Sequence, residues 1–170
     1  MRPNLMFPAL LLAGVLVVQS AWPQATDTTS APSQEQEPAA TPPELTGGQK
    51  MIADALNLVG IRYRRGGSDA ETGFDCSGFV GYVFRETLGL VLPRTSRDIS
   101  QAGTPVDKSE LQPGDLVFFN TMRRAFSHVG IYLGNHLFVH APRPGQTVRV
   151  EDIRDRYWDR RYNGARRVDR

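Results

Sequence analysis

A single cysteine, Cys76, and only three histidines occur in this chain of 170 residues. One thiol closes no intrachain disulfide and cannot fill a multi-thiolate zinc site, which excludes a disulfide framework and a zinc ribbon. Charge of one sign is not in excess either. Lys and Arg number 20 against 18 Asp and Glu, a net +2, so neither a polybasic nucleic-acid binder nor a polyacidic chain is indicated. No internal repeat is visible. The longest apolar run, Leu5 to Val18, is shorter than the roughly 20 residues that a membrane-spanning helix needs. A chain of this length holds at most one domain.

That apolar run follows Arg2 and is followed by small residues at Ser20, Ala21 and Ala25, the pattern of an export signal cleaved between Ser20 and Ala25. An uncleaved anchor is the alternative. No cysteine lies near the cleavage site, so N-terminal lipidation is not expected. Residues 22–45 are rich in Pro, Ser, Thr and Gln with few large apolar side chains, the composition of a disordered linker. The expected organisation is a signal peptide over 1–21, a linker over 22–45 and one domain over 46–170. Arg2 against Asp27, Glu35, Glu37 and Glu44 leaves residues 1–45 at −3, so the remainder carries +5. A basic domain on an acidic stalk suits an anionic partner, though scattered surface arginines would give the same sum.

Within the domain, Ile52, Ala55, Leu56 and Val59 form one apolar stripe that predicts a helix over about 48–59, stopped by Gly60. A stronger stripe runs through Cys76, Phe79, Val80, Val83, Phe84, Thr87 and Leu88, with Asp75 as N-cap and Gly89 as stop. Cys76 then sits in the first helical turn, where unpaired N–H groups and the positive end of the macrodipole favour a thiolate. The plainer reading is a small buried hydrophobe, which describes most free cysteines. A short helix is expected over 96–102, then a turn at Leu111–Gly114, a strand over 115–119, and a hairpin of SHVGIYL and HLFVHA around Gly134-Asn135. Helices first and strands later predict an α+β fold with an antiparallel sheet.

The hairpin register carries the functional argument. Val129, Ile131, Leu133, Leu137, Val139 and Ala141 occupy odd positions, and His128, His136 and His140 even ones. The aliphatics share one core face only if odd pairs with odd, whereas a two-residue turn would pair 133 with 136. An odd loop or a bulge near 133–136 is therefore expected, with His128 opposite or diagonal to His140 on the non-core face. Two imidazoles side by side and a helix-capped thiol suit acyl transfer through a thioester. His128 would act as base and then acid, His140 is the available third polar group, and the backbone N–H of Cys76 would serve the oxyanion. His136, on the loop shoulder, is expected to be solvent-exposed.

These segments resemble the NlpC-type (NlpC/p60) cell-wall cysteine peptidases, through RYRRGG at 62–67, DCSGFV at 75–80, LPRTS at 92–96, LQPGDLVFF at 111–119, HVGIYLGN at 128–135 and FVHA at 138–141. Within that family GIRYRRGG, GFDCSGFV and the tail YWDRRYNGARRV are most similar to the Spr or MepS murein endopeptidases. The resemblance covers nearly all of 46–170 and implies a circularly rearranged papain-like fold. It implies Cys76 as nucleophile, His128 as base and His140 as third residue, Tyr63 lending its hydroxyl near the thiolate, and Asp75 and Ser77 lining the substrate side. Asp75 as a mere cap and Tyr63 as packing are the alternatives, and Arg94 matches a family position to which no role is assigned. No metal or cofactor is implied.

The implied activity is hydrolysis of an amide in peptidoglycan stem peptides: the D-alanine–meso-diaminopimelate cross-link, or the γ-D-glutamyl–diaminopimelate bond. The implied setting is the periplasm of a Gram-negative bacterium, as a monomer without nucleic-acid partner. Spr-type proteins are generally lipoproteins, which this chain does not match, and no separate wall-binding domain is visible. Two other readings are a zinc site of Cys76, His128 and His140, and a wall-binding module with a silent site. A preformed thiolate–imidazolium pair would keep alkylation of Cys76 fast below the free-thiol pKa of about 8.5.

Overall fold

The computed structural model describes residues 46–168. The expected signal peptide and linker, over 1–21 and 22–45, lie outside the described residues. Helix α1, Gly47–Asn57, starts at a capping box: Thr46 Oγ1 accepts from the Gln49 N–H, and the Thr46 N–H donates to Gln49 Oε1 at 2.9 Å. Its buried stripe is Met51 and Ala55, continued by the partly buried Leu58. The expected stripe through Leu56 and Val59 is wrong, since these are 41% and 45% exposed. The same i, i+4, i+7 spacing fits both stripes, and the helix ends before Val59 because Gly60 N–H bonds the Val148 carbonyl instead.

A two-stranded ribbon, β1 (Ser68–Asp69) and β2 (Gly73–Phe74), leads into α2, Cys76–Leu88. Asp75 caps α2 by accepting from the Gly78 N–H at 2.7 Å, and Gly89 ends it at φ 69°, both as expected. Thr87 donates to Asp54 at 2.7 Å and so ties α2 to α1. Helix α3 is shorter than expected, Ser96–Ile99 rather than 96–102, with Thr95 as cap and Ser100 closing its last turn.

Strands β3 (Thr104–Val106), β4 (Leu116–Phe119), β5 (His128–Gly134), β6 (Leu137–His140), β7 (Arg149–Asp152) and β8 (Tyr162–Arg167) form one antiparallel sheet in the order β3-β8-β4-β5-β6-β7, with helix α4, Arg156–Asp159, before β8. Odd pairs with odd as expected: Ile131 faces Val139, and the register shifts between Tyr132 and Gly134, leaving Leu133 as the extra residue. Gly134, Asn135 and His136 all turn at positive φ. His136 is exposed on this shoulder.

One sheet face packs Leu116, Phe118, Val129, Ile131, Val139 and Ala141 against α1 and α2. The other face, expected to lie outside the core, carries a second core of Val117, Phe119, Tyr132, Phe138, Ile153, Trp158 and Ala165. The segment 153–161 before β8 covers it, and this segment shows no stripe long enough to read as a covering layer. His128 and His140 are consequently buried, at 3% and 0% exposure.

Candidate active site

The site forms where the N-terminus of α2 meets β5 and β6. Asp75 anchors that helix end. Its Oδ1 accepts from Gly78 N–H and from the Ser77 hydroxyl at 3.2 Å, and its Oδ2 from Gly66 N–H at 3.0 Å. Arg94 closes the cluster, donating to both carboxylate oxygens at 3.1 and 2.7 Å and to Ser77 Oγ at 2.9 Å. A two-pronged guanidinium holds a carboxylate in one orientation, so Arg94 has a structural task here. The paired glycines follow from the same contact: Gly67 carbonyl accepts from Asp75 N–H at 3.0 Å, and a Cβ on Gly78 would lie 2.0 Å from that carbonyl oxygen.

Cys76 follows this clamped turn and lines a cleft of about 540 Å³ together with Tyr63 and His128. Asp75 and Ser77, expected on the substrate side, do not line this cleft; their oxygens are consumed by the cap and by Arg94. Tyr63 does line it, and burial, then the neighbouring Cys76 and Asp75, push its phenol up.

On β5 and β6 the two histidines take the expected diagonal relation. Continuing the register puts Gly130 opposite His140, and a Cβ on Gly130 would crowd the His140 Cβ at 3.2 Å. His128 Nε2 lies 2.7 Å from His140 Nδ1, with the ring planes at 89°. Trp158 from α4 stacks on His128 and meets His140 edge-on. Sequence reasoning missed Trp158, although it lies in the tail segment that carried the family resemblance. It also missed Glu151 of β7, whose Oε2 lies 3.2 Å from His140 Nε2 and whose other oxygen pairs with Arg149. The alternation Arg149–Glu151 beside Phe138–His140 would have found it, had β7 been recognised.

Electrostatics set the resting protonation. Burial, then the charge of His140, holds His128 well below the ordinary imidazole value; burial also lowers His140, against the pull of Glu151. Burial and the Asp75 carboxylate push the Cys76 thiol up to about 11, opposed by the backbone N–H groups of Val129, Ser77 and Cys76. Both partners therefore favour their neutral forms. The expected preformed thiolate–imidazolium pair is not the form these surroundings favour, because burial disfavours charge on both the Cys76 thiol and the His128 imidazole. Among the described residues no group of three or more His, Cys, Asp or Glu could hold a metal ion. The zinc reading also conflicts with the histidine geometry, since Nε2 and Nδ1 face each other rather than a common point.

An α+β fold with a thiol at a helix N-terminus beside a buried histidine pair is the arrangement of a thiol hydrolase. The model of the NlpC/P60 family matches residues 60–167, and the chain belongs to that family. It is 44% identical to the murein DD-endopeptidase MepH of Escherichia coli, over 71% of this chain and 47% of the relative. It is 47% identical to the murein DD-endopeptidase MepS/murein LD-carboxypeptidase of the same organism, over 70% of this chain and 62% of that one. The chain thus spans about half to three-fifths of the length of these relatives. A crystal structure of an NlpC/P60 family protein from Bacillus cereus superposes with a TM-score of 0.68 at 31% identity, covering 74% of this chain and 41% of that one.

Proposed function

We propose that this chain is a cysteine endopeptidase that hydrolyses an amide in peptidoglycan stem peptides, the D-alanine–meso-diaminopimelate cross-link, with Cys76, His128 and His140 as its catalytic residues. The observation that carries the reading is the 2.7 Å contact between His128 Nε2 and His140 Nδ1. It commits Nε2 and leaves Nδ1 as the nitrogen available to Cys76, which shares the cleft. The DD-endopeptidase activity in the names of the MepH and MepS relatives supports the substrate class.

In this mechanism His128 Nδ1 takes the Cys76 proton as the sulfur attacks the carbonyl carbon, so the ion pair exists only during attack. The Cys76 N–H at the head of α2 donates to the developing oxyanion. The tetrahedral intermediate collapses as His128 returns the proton to the leaving amine, and a thioester remains. Water then attacks it, His128 again taking the proton, and the free acid and thiol are released. His140 holds the His128 ring by its Nε2. Tyr63 borders the thiol, and Asp75 and Ser77 keep the helix end in place.

The proposed setting is the periplasm of a Gram-negative bacterium. Residues 1–21 would act as a cleaved signal and 22–45 as linker, with a monomeric product. Among the described residues no helix is long and apolar enough to cross a membrane.

The test is mass analysis of products from defined cross-linked muropeptides, with wild type, Cys76→Ala, a thiol alkylator and a metal chelator as arms. Cleavage at the D-alanine–diaminopimelate bond that survives chelator and vanishes with the alkylator or with Cys76→Ala is expected. Cutting beside γ-D-glutamate would replace the bond assignment. Activity retained by Cys76→Ala would end the nucleophile assignment, loss with chelator would revive the zinc reading, and binding to sacculi without products would favour a wall-binding module.

A further inference from the structure

His128, His140 and Glu151 step diagonally across three neighbouring strands. His140 pairs with Arg149, so Glu151 is offset from it by two residues, as His128 is on the other side. Such diagonal neighbours lie within reach of long side chains. The resulting line of contacts is 2.7 Å from His128 Nε2 to His140 Nδ1 and 3.2 Å from His140 Nε2 to Glu151 Oε2. His140 is wholly buried, and its Nε2 and Glu151 Oε2, both shielded from solvent, approach at ion-pair distance rather than in a fully aligned hydrogen bond. Arg149 and Trp158 also face the Glu151 carboxylate, and for His140 Nε2 that carboxylate is the acceptor at hand.

Proton counting then fixes the whole line. A neutral imidazole carries one N–H and one lone pair. A carboxylate only accepts, so the His140 proton belongs on Nε2, facing Glu151. His140 Nδ1 is then a lone pair, and the 2.7 Å contact requires His128 to carry its proton on Nε2. His128 Nδ1 is left unprotonated, the state in which it can take a proton from a thiol. We infer that Glu151 is a positioning residue that sets the tautomer of His140 and, through it, the tautomer of His128. Part of this inference, the use of Nδ1 as base, rests on the peptidase reading above; the tautomer assignment does not.

Glu151 is suited to the task. Burial works against its ionisation, yet His140, Arg149 and Trp158 together hold its carboxyl below the usual range. The charged and titratable groups around it are His140 of β6, Arg149 of its own strand and, beyond His140, His128 of β5, with the uncharged Trp158 of α4 closing the side. An ionised Glu151 also favours the imidazolium that forms on His128 during attack. Without Glu151 the His140 proton has no preferred nitrogen, and part of the population places a proton on His128 Nδ1, where it blocks transfer.

The experiment is long-range ¹⁵N–¹H spectroscopy of the histidine rings at pH 8 in wild type, Glu151→Gln and Glu151→Leu, with muropeptide turnover measured on the same samples. Wild type should show both His128 and His140 as Nε2–H tautomers. Glu151→Gln keeps an acceptor and the side-chain size, so both tautomers should persist, with kcat down by about tenfold for the lost charge. Glu151→Leu should show Nδ1–H forms at both rings, with kcat down roughly 100-fold and KM little changed. An Nδ1–H on His140 in wild type, or unaltered tautomers in a folded Glu151→Leu, would overturn the inference. Tautomers that respond as expected in a wild type that cleaves no muropeptide would support the inference and overturn the peptidase reading instead.

Discussion

His128 Nε2 and His140 Nδ1 lie 2.7 Å apart, and the two rings stand nearly perpendicular at 89°. The contact fixes the direction in which the free His128 nitrogen points. Replacing His140 with Ala should therefore lower kcat by roughly 100-fold or more at little change in KM, since the interaction orients the base rather than the substrate. His140→Asn should lose less, because its amide oxygen can still accept from His128 Nε2–H. Steady-state kinetics on a defined muropeptide checks both, and equal losses in the two variants would count against an orienting role.

The same burial makes stability depend on pH. His128 and His140 both titrate lower in the folded than in the unfolded chain, from an ordinary value of 6.5. Their neutral forms are native, so stability is complete above pH 6.5 and falls as pH drops from there toward the folded-state values. The lowered carboxyls, Glu151 among them, act below about 4.5, a separate window. Urea midpoints at pH 7.5 and 5 should decline in wild type and decline less in His140→Asn. An unchanged midpoint across this interval would contradict the buried neutral pair.

Alkylation of Cys76 reports the resting thiol directly. With the thiol pushed up to about 11, its reaction with iodoacetamide should keep accelerating as pH rises through 8.5. A plateau beginning below pH 7 would mean that a thiolate–imidazolium pair already exists in the resting protein.

Two glycines of α2 should respond oppositely to alanine. A Cβ on Gly78 would collide with the Gly67 carbonyl at 2.0 Å, and that carbonyl is rigid backbone already bonded to Asp75. Gly78→Ala should cost more than about 2 kcal/mol and disturb Cys76, two residues away. Gly81 has nothing within 4 Å, so Gly81→Ala should stabilise the helix by about 0.5–1 kcal/mol. Thermal melts of the two variants decide it, and equal shifts would contradict the close approach at Gly67.

Much of this arrangement is local and therefore legible. Asp75 and Gly89 bound α2 because capping is a property of a few adjacent residues, and the odd-to-odd pairing of β5 with β6 follows from the alternation of aliphatics. The stripe of α1 was ambiguous because two sets of residues share the same spacing. Strands β3, β7 and β8 carry little apolar alternation. Their pairing is decided by neighbours far along the chain, as when Leu116 of β4 faces Arg166 of β8.

The sequence by itself determined that the one thiol sits at a helix N-terminus and that His128 and His140 share a sheet face, because helix caps and strand alternation are set within a few residues. Tertiary structure decided what that face meets. The packing of residues 153–161 over it places Trp158 on both imidazoles, and the burial that results favours the neutral histidines. It also decided that Glu151, 11 residues beyond His140, lies against its outer nitrogen at 3.2 Å. That contact requires a third strand to pair alongside, and no local preference specifies the pairing.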